Sequence, residues 1–186
     1  MPEKLFEPMV FVDLETTGAT GTVDRITEIG VVEVNEEGEV REWSSLVNPQ
    51  TSIPPFIQNL TGISDAMVAE APTFEELAEE VLMRLHGRLF VAHNARFDYG
   101  FLKNEFKRVG VDFKATVLCT VKLSRKLFPQ FSKHSLDALI ERHQLHMPAR
   151  HRALADAAVL WQFWQILQQQ MPASQLQEAV GVLTGH

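Results

Sequence analysis

Two carboxylates stand two residues apart where an apolar segment ends. Asp13 and Glu15 close residues 9–15, which are otherwise apolar. Because alternate side chains of a strand point to one face, both carboxylates share a face with Phe11. Two carboxylates so placed repel each other unless a cation lies between them, although a strand-end Asp can also cap the turn that residues 16–18 predict. The spacing therefore indicates a candidate cation site that needs further ligands.

Two more carboxylates interrupt the apolar faces of predicted helices. Asp98 is followed by apolar residues three and four positions later, and Asp156 by apolar residues four, seven and eleven positions later. An inward-facing carboxylate is costly unless it is paired or binds a metal. Arg96 or Arg152 could pair with one acid each, but four such acids in one small acidic domain favour a shared metal site.

Oxygen ligands without a cysteine or histidine cluster suit Mg²⁺ or Mn²⁺ rather than zinc. Two such ions, ~3.5 to 4 Å apart, can activate a water and stabilise the leaving oxygen when a phosphodiester is hydrolysed. His151 precedes Asp156 by five residues, and a neutral imidazole with a pKa near ~6.5 could take a proton from that water. We interpret five other histidines as surface or hydrogen-bonding residues: His86, His134, His143, His146 and His186.

The length and the charge limit what this protein can be. The 186 residues suffice for one hydrophobic core. We therefore predict a single domain over residues 1–186, with a catalytic core at about 8–170 and a short last helix at about 174–183. The net charge of −7 argues against a general basic surface for nucleic acid. Metal ions held by carboxylates would supply the local positive charge that a phosphate needs.

The sequence also bears on location. It has no apolar run near the ~20 residues that cross a bilayer, so we predict no membrane segment. Residues 1–8 do not resemble a secretory signal and are interpreted as a short frayed end. Cys119 is the one cysteine, which precludes an internal disulfide and fits a reducing cytosol. We expect a cytoplasmic protein in which this thiol has no catalytic role.

Apolar patterning predicts strands first and helices later. Strands are predicted over about 9–14, 29–34 and 40–47, the last two antiparallel, with a proline-rich loop at 49–55 after them. Thr73 and Glu76 form a capping box before a helix that ends at Gly87. Further predicted elements are a strand at 89–92, a helix ending at Gly110, a strand at 117–119, and helices at 121–128, 135–143 and 152–170. Ser174 and Gln177 predict the cap of the last helix. This order predicts an α/β domain with a mixed sheet and helices on its faces.

Three ordered motifs resemble those of the DnaQ-like 3′→5′ exonuclease superfamily. Residues 11–18 (Phe-Val-Asp-Leu-Glu-Thr-Thr-Gly), 93–98 (His-Asn-Ala-Arg-Phe-Asp) and 151–156 (His-Arg-Ala-Leu-Ala-Asp) are similar to its first, second and third motifs. The third has the H-x4-D form of the DEDDh subgroup, and bacterial domains like the proofreading epsilon subunit of DNA polymerase III are similar. The resemblance implies a ribonuclease H-like fold with a mixed five-stranded sheet flanked by helices.

The resemblance also implies catalytic roles. Asp13, Glu15 and Asp156 would hold the metal ion that binds the attacking water. Asp13 would also contact a second ion, whose site Asp98 would complete partly through water. His151 would be the general base. Two divalent cations, Mg²⁺ or Mn²⁺, are the expected cofactors.

Substrate-binding residues are implied in the same way. The backbone of residues 14–18 would receive the 3′-terminal nucleotide, and Phe97 would pack near the last base or sugar. Asn94 would hold the loop before Asp98. At Thr61 the polymerase subunits have a histidine, and here only a hydroxyl could be donated. The full implied set is Leu14, Thr16, Thr17, Gly18, Thr61, Asn94 and Phe97.

The expected function is a 3′→5′ exonuclease that releases nucleoside 5′-monophosphates from the 3′ end of single-stranded DNA. An RNA-trimming enzyme is the nearest alternative, because oligoribonuclease and ribonuclease T share the same five catalytic residues. A noncatalytic module that binds nucleic acid or a polymerase, and a phosphodiesterase for small nucleotides, also stay open.

A DNA polymerase or a repair nuclease is the expected protein partner. We find no Gln-led apolar peptide for a sliding clamp, which argues against a dedicated proofreading subunit, and the chain could be free-standing or part of a longer protein.

Overall fold

A computed structural model describes residues 8–185 of the protein. Five strands form one mixed sheet in the order β3-β2-β1-β4-β5. The strands β1 and β2 and the strands β2 and β3 pair antiparallel, while β4 pairs parallel with both β1 and β5. The strands are β1 (Met9–Thr16), β2 (Ile26–Val34), β3 (Val40–Leu46), β4 (Leu89–Ala92) and β5 (Val117–Cys119). This sheet confirms the predicted α/β, ribonuclease H-like fold class.

Helices cover the two faces of the sheet. Those of the described residues are α1 (Pro55–Thr61), α2 (Asp65–Ala69), α3 (Phe74–Leu85), α4 (Ala95–Arg108), α5 (Thr120–Leu127), α6 (Leu136–His143), α7 (Ala153–Gln170) and α8 (Ala173–Thr184). Apolar residues of α5 to α8 form one core against the sheet, and those of α3 and α4 form another on the opposite face. The two cores explain why β1 and β2 are buried on both sides.

The alternating direction of the side chains along β1 determines which helix its two acids face. Met9 and Phe11 belong to the core that contains α7, whereas Val10 and Val12 belong to the core that contains α3 and α4. Because side chains alternate along a strand, the odd-numbered positions continue the α7 face beyond Phe11. The helix α7 packs on both β1 and β2. The carboxylates at the end of β1 therefore point toward the start of α7.

The predicted elements agree with the structure at most positions. The capping box is confirmed, since Thr73 Oγ1 accepts a hydrogen bond from Glu76 N at 3.3 Å and Glu76 Oε1 accepts one from Thr73 N at 3.1 Å. The predicted cap of the last helix is wrong, because Ser174 lies inside α8, which begins one residue earlier after Pro172.

The proline-rich segment differs from the prediction of a loop. Pro55 is the first residue of α1, and α2 follows after the turn at Gly62. Proline is compatible with the first turn of a helix because the amide that it lacks has no partner there. Residues 1–7 of the expected frayed end, and His186, lie outside the described residues. In the described part of the chain, no helix has the length and apolar character that crossing a membrane requires.

Candidate active site

Three of the predicted metal ligands lie together. Asp13 and Glu15 at the end of β1 and Asp156 in the first turn of α7 each offer a carboxylate oxygen, and these oxygens all lie within 4.8 Å of one another. Asp13 and Glu15 are partly exposed, while Asp156 is buried. A strand end and a helix start that are over 140 positions apart in sequence thus supply one cluster.

The fourth acid approaches from the opposite face of the sheet. Asp98 is buried in the first turn of α4. The backbone of Leu14 lowers the pKa of the Asp98 carboxyl and so lies close to it, and the charge of Asp98 raises the pKa of Asp13. Asp98 lies outside the group of three oxygens but beside Asp13, so the four acids form one site with two unequal parts.

Burial, together with their mutual proximity, raises the pKa values of these four acids. Burial is the largest cause for all four, and the neighbouring carboxylates add to it. The pKa of Glu15 rises to about 8 and that of Asp156 to about 6. The pKa values of Asp13 and Asp98 rise well above the usual range. Asp13, Glu15 and Asp98 therefore favour their protonated forms at neutral pH unless a cation binds.

The donor set fits a divalent cation. Asp156 Oδ1 is buried and has no hydrogen-bond partner. A buried carboxylate oxygen without a partner carries a desolvation cost that a metal ion would offset. The three clustered side chains offer oxygen alone, which suits Mg²⁺ or Mn²⁺. Asp13, Glu15 and Asp156 could hold one such ion, and Asp98 could help Asp13 to hold another.

The cation that contacts Asp156 is Arg150, which was not among the predicted site residues. Arg150 Nη1 donates to Asp156 Oδ2 at 2.6 Å. The alternative that Arg152 pairs with Asp156 is therefore wrong, because its guanidinium pairs with Glu28 instead. Among the ion pairs of residues 8–185, none joins Arg96 to Asp98. Arg150 lies in a short irregular segment before α7. No hydrophobic periodicity there predicts the direction of its side chain.

Two residues of β2 hold the start of α7 against β1. Glu28 accepts hydrogen bonds from Arg152 Nη2 at 2.6 Å and from Ala153 N at 2.8 Å. At Gly30 an added Cβ would lie 2.3 Å from the backbone of Ala153. Neither residue was predicted to belong to the site, although a glycine inside an apolar strand indicates a close backbone approach and an acid there indicates an inward partner.

His151 lies beside the arginine. Its backbone φ is 68°, in the left-handed region. Its backbone lowers the pKa of the Asp156 carboxyl, and its Nδ1 is 3.4 Å from Arg150 Nη1. Partial burial and then the charge of Arg150 lower the pKa of the imidazole, and Asp137 opposes them. The ring is thus kept neutral, as a base requires, next to the acids.

The turn after β1 is held by its own side chains. Thr16 Oγ1 donates to Gly18 O at 2.6 Å, and Thr17 Oγ1 donates to Asp24 Oδ1 at 3.2 Å. A Cβ at Gly18 would lie 2.4 Å from Asp24 Oδ2. Both hydroxyl protons are therefore used within the turn. These two side chains therefore have no proton left to donate to a substrate.

Phe97 borders a cavity of about 440 Å³ that residues 19–22, just after this turn, also line. Its ring packs on Phe101 with centroids 4.7 Å apart. Asn94 is exposed and adopts a left-handed conformation with φ 63° at the N-terminus of α4. Just before it, His93 bonds the Thr120 hydroxyl and the His134 carbonyl, both at 2.8 Å. Burial lowers the pKa of His93 to about 4, so this neutral ring holds the segment before Asp98 in place.

The structure does not bring Thr61 to the site as a donor. The residue is buried at the end of α1. Its hydroxyl donates to Ile57 O at 2.9 Å and accepts a hydrogen bond from Ile63 N at 3.1 Å. Since a hydroxyl has one proton, this side chain has none left for a substrate.

Comparison with known proteins identifies an exonuclease family, which agrees with the acidic site. The RNase_T family model, described as Exonuclease, matches residues 10–164, which include all five predicted catalytic positions. The chain is 46% identical over 153 residues to the 3′-5′ exonuclease DinG of Bacillus subtilis, covering 81% of this chain and 16% of that protein. It is 40% identical over 148 residues to the DNA polymerase III PolC-type of Caldanaerobacter subterraneus, covering 80% of this chain and 11% of that protein.

A solved structure matches over nearly its whole length. Exonuclease X, in complex with 5′ overhanging duplex DNA, has a TM-score of 0.71 and 30% identity, and the match covers 93% of this chain and 99% of that chain. By contrast, the chain spans only 11 to 16% of the two curated relatives. The family model covers more than half of the sequence, and the chain therefore belongs to the exonuclease family.

Proposed function

We propose that this chain is a 3′→5′ exonuclease that hydrolyses the terminal phosphodiester of single-stranded DNA with two divalent cations, Mg²⁺ or Mn²⁺. The observation that carries the proposal is the approach of Asp13, Glu15 and Asp156 to within 4.8 Å, with an unpartnered oxygen on Asp156. The three-residue group would hold one cation, and Asp13 with Asp98 would hold the second. When bound, the cations supply a water of lowered pKa and stabilise charge on the leaving oxygen.

The side chains of this chain orient the substrate and move the proton. His151 takes the proton of the attacking water, and we assign this role to Nε2 because Nδ1 faces Arg150. The ring of Phe97 borders a cavity, lined also by residues 19–22, that would receive the terminal nucleotide. The backbone of residues 16–18, which leads into that segment, would contact the same nucleotide. A ring that stacks on a base is indifferent to base identity, which suits a nonspecific trimming enzyme.

The partners and the location are part of the same proposal. Single-stranded 3′ ends are the substrate, and the PolC-type relative supports a DNA polymerase as the protein context. A repair nuclease is the other partner that we propose. A cytoplasmic location is proposed because the one cysteine, Cys119, cannot form an internal disulfide.

Digestion of end-labelled oligonucleotides tests the activity. A 5′-labelled single-stranded DNA and its RNA counterpart are incubated with Mg²⁺, Mn²⁺ or a chelator, and the products are resolved by mass. We expect a ladder that shortens from the 3′ end, nucleoside 5′-monophosphates, and no reaction in chelator. Asp13→Asn should abolish cleavage, while Asp112→Asn, which changes an exposed acid paired with Lys114, should not.

Each outcome of this digestion is informative. Faster digestion of the RNA would identify an RNA-trimming enzyme with the same site. An Asp13→Asn variant as active as wild type would show that the acids are not the catalytic centre. Tight binding of single strands without any released mononucleotide would indicate a noncatalytic binding module instead of an enzyme.

A further inference from the structure

Arg150 joins the acidic site to a neighbouring helix. Its Nη1 donates to Asp156 Oδ2 at 2.6 Å, and its Nε donates to Asp137 Oδ1 at 2.7 Å. The side chain of Asp156 is 4% exposed and that of Asp137, in the first turn of α6, is 71% exposed. One guanidinium therefore bridges a buried acid of the site and an acid at the surface.

The guanidinium of Arg150 lies where its positive charge opposes the binding of a metal ion to the acids. It occupies one oxygen of Asp156, while the other oxygen of that carboxylate is buried without a partner. Its charge also lowers the pKa values of Asp13 and Glu15, so it acts on all three clustered acids. A divalent cation at these oxygens would lie close to the guanidinium, and like charges in a partly buried site repel strongly.

The second contact offers the arginine a place to remain. Because an arginine carries several N–H donors on one rigid fork, the whole guanidinium can pivot about one N–H that stays on a carboxylate. If Nη1 leaves Asp156, Nε can stay on Asp137 at the rim of the site. A lysine at this position has one nitrogen and could not make both contacts in the same way.

We propose that Arg150 competes with the divalent cation for Asp156, and that the site takes up metal when this guanidinium moves off Asp156 while Asp137 retains it. The inference rests on the proposed function, because it takes the acids as the metal ligands. Arg150 is thus a positioning residue that sets the metal affinity of the site rather than a ligand of the metal.

Calorimetric titration of the whole chain with MnCl₂, without nucleic acid, tests the competition. Arg150→Gln should bind Mn²⁺ at least about tenfold more tightly than wild type, because the charge-assisted hydrogen bond no longer has to be broken. Arg150→Lys separates competition from simple charge, since it keeps the charge and loses the double contact. We expect its affinity to lie clearly above that of wild type.

Two controls complete the design. Arg125→Gln removes the same charge from an exposed position on α5, and it should change the affinity by less than about twofold, because exposed charges are screened by salt. Asp13→Asn should abolish the binding. The increase of the melting temperature on adding Mn²⁺ is a second readout, and it should be larger in Arg150→Gln than in wild type.

The outcomes distinguish the two proposals. Mn²⁺ binding that Asp13→Asn abolishes, but that is equal in wild type, Arg150→Gln and Arg150→Lys, would overturn the competition and leave the proposed metal site intact. An equal gain for Arg125→Gln and Arg150→Gln would reduce the effect to long-range charge and would also overturn it. Absence of Mn²⁺ binding in every variant would overturn both proposals. If Arg150→Gln fails to fold, Arg150→Lys alone decides.

Discussion

Gly30 lies directly opposite Asp13 in the antiparallel β1–β2 ladder, and the first turn of α7 rests on that glycine. A Cβ at this position would lie 2.3 Å from both the carbonyl carbon of Ala153 and the amide nitrogen of Leu154. Because Asp156 follows on the same turn, the missing side chain is what lets its carboxylate approach Asp13. A residue with no chemistry of its own thus sets the dimensions of the acidic site.

Replacing Gly30 by alanine should damage both stability and metal binding. The clash is with backbone atoms, which cannot rotate away, so α7 must shift. We expect the free energy of unfolding to fall by about 1 to 3 kcal/mol, as in other overpacked cores. Thermal unfolding and MnCl₂ titration measure the two effects. The control is Gly100→Ala in α4, where an added Cβ meets nothing within 4 Å; an unchanged Mn²⁺ affinity in Gly30→Ala would refute the geometric argument.

The contact between Glu28 and the start of α7 should be equally necessary. Glu28→Ala removes the acceptor of Arg152 and of the buried Ala153 N–H. We expect a loss of about 1 to 3 kcal/mol in unfolding free energy, since a buried donor is left without a partner. Glu28→Gln keeps one oxygen for the Ala153 amide and should be milder.

A matched change elsewhere on the sheet separates this effect from loss of charge. Glu42 is exposed on β3, and Glu42→Ala removes one negative charge without breaking a contact to α7. Its melting temperature should stay near that of wild type. Equal destabilisation by Glu28→Ala and Glu42→Ala would argue that the contact to α7 contributes nothing.

Without metal, the protein should lose stability as the pH rises. Glu15 and Asp156 have ordinary pKa values of 4.5 and 3.8, which the fold raises to about 8 and about 6. Between these limits the folded state holds protons that the unfolded state has released, so a higher pH favours unfolding. We expect the melting temperature in chelator to fall from about pH 5 to about pH 8, and added Mn²⁺ to restore it at the upper end. Glu15→Gln should flatten the upper part of the curve, and a melting temperature that rises over this range in chelator would contradict the raised pKa values.

The sequence predicted the sheet and the longer helices because these carry repeated apolar signals. The alternation of β1 places Asp13 and Glu15 on one face, and the stripe on α7 places Asp156 inward. These patterns act over many residues, so local errors average out. Helices α1 and α2 have seven and five residues, and segments this short show less than two turns of periodicity.

The missing parts of the site are long-range contacts that no local pattern encodes. Arg150 reaches Asp156 because of the conformation of the loop between α6 and α7. Arg152 is closer to α7 in sequence, but it pairs with Glu28. Thr61 was selected by its place in a motif, but burial and the Ile57 carbonyl determine what its hydroxyl does. Hydrogen-bond partners depend on the packed structure, whereas residue types at motif positions do not.

His151 should make the rate depend on pH. The deprotonated ring is the active form of a base, so at saturating Mn²⁺ the rate should rise with pH and then level off. Burial and the charge of Arg150 lower the pKa of His151 below its ordinary 6.5, which moves the rise to lower pH. Arg150→Gln removes the second cause and should shift the rise upward. His151→Ala should slow hydrolysis by ~10² to 10⁴ and remove this rise, whereas His146→Ala, at an exposed position, should keep the wild-type profile; a His151→Ala variant that is slow but retains the rise would assign the titration to another group.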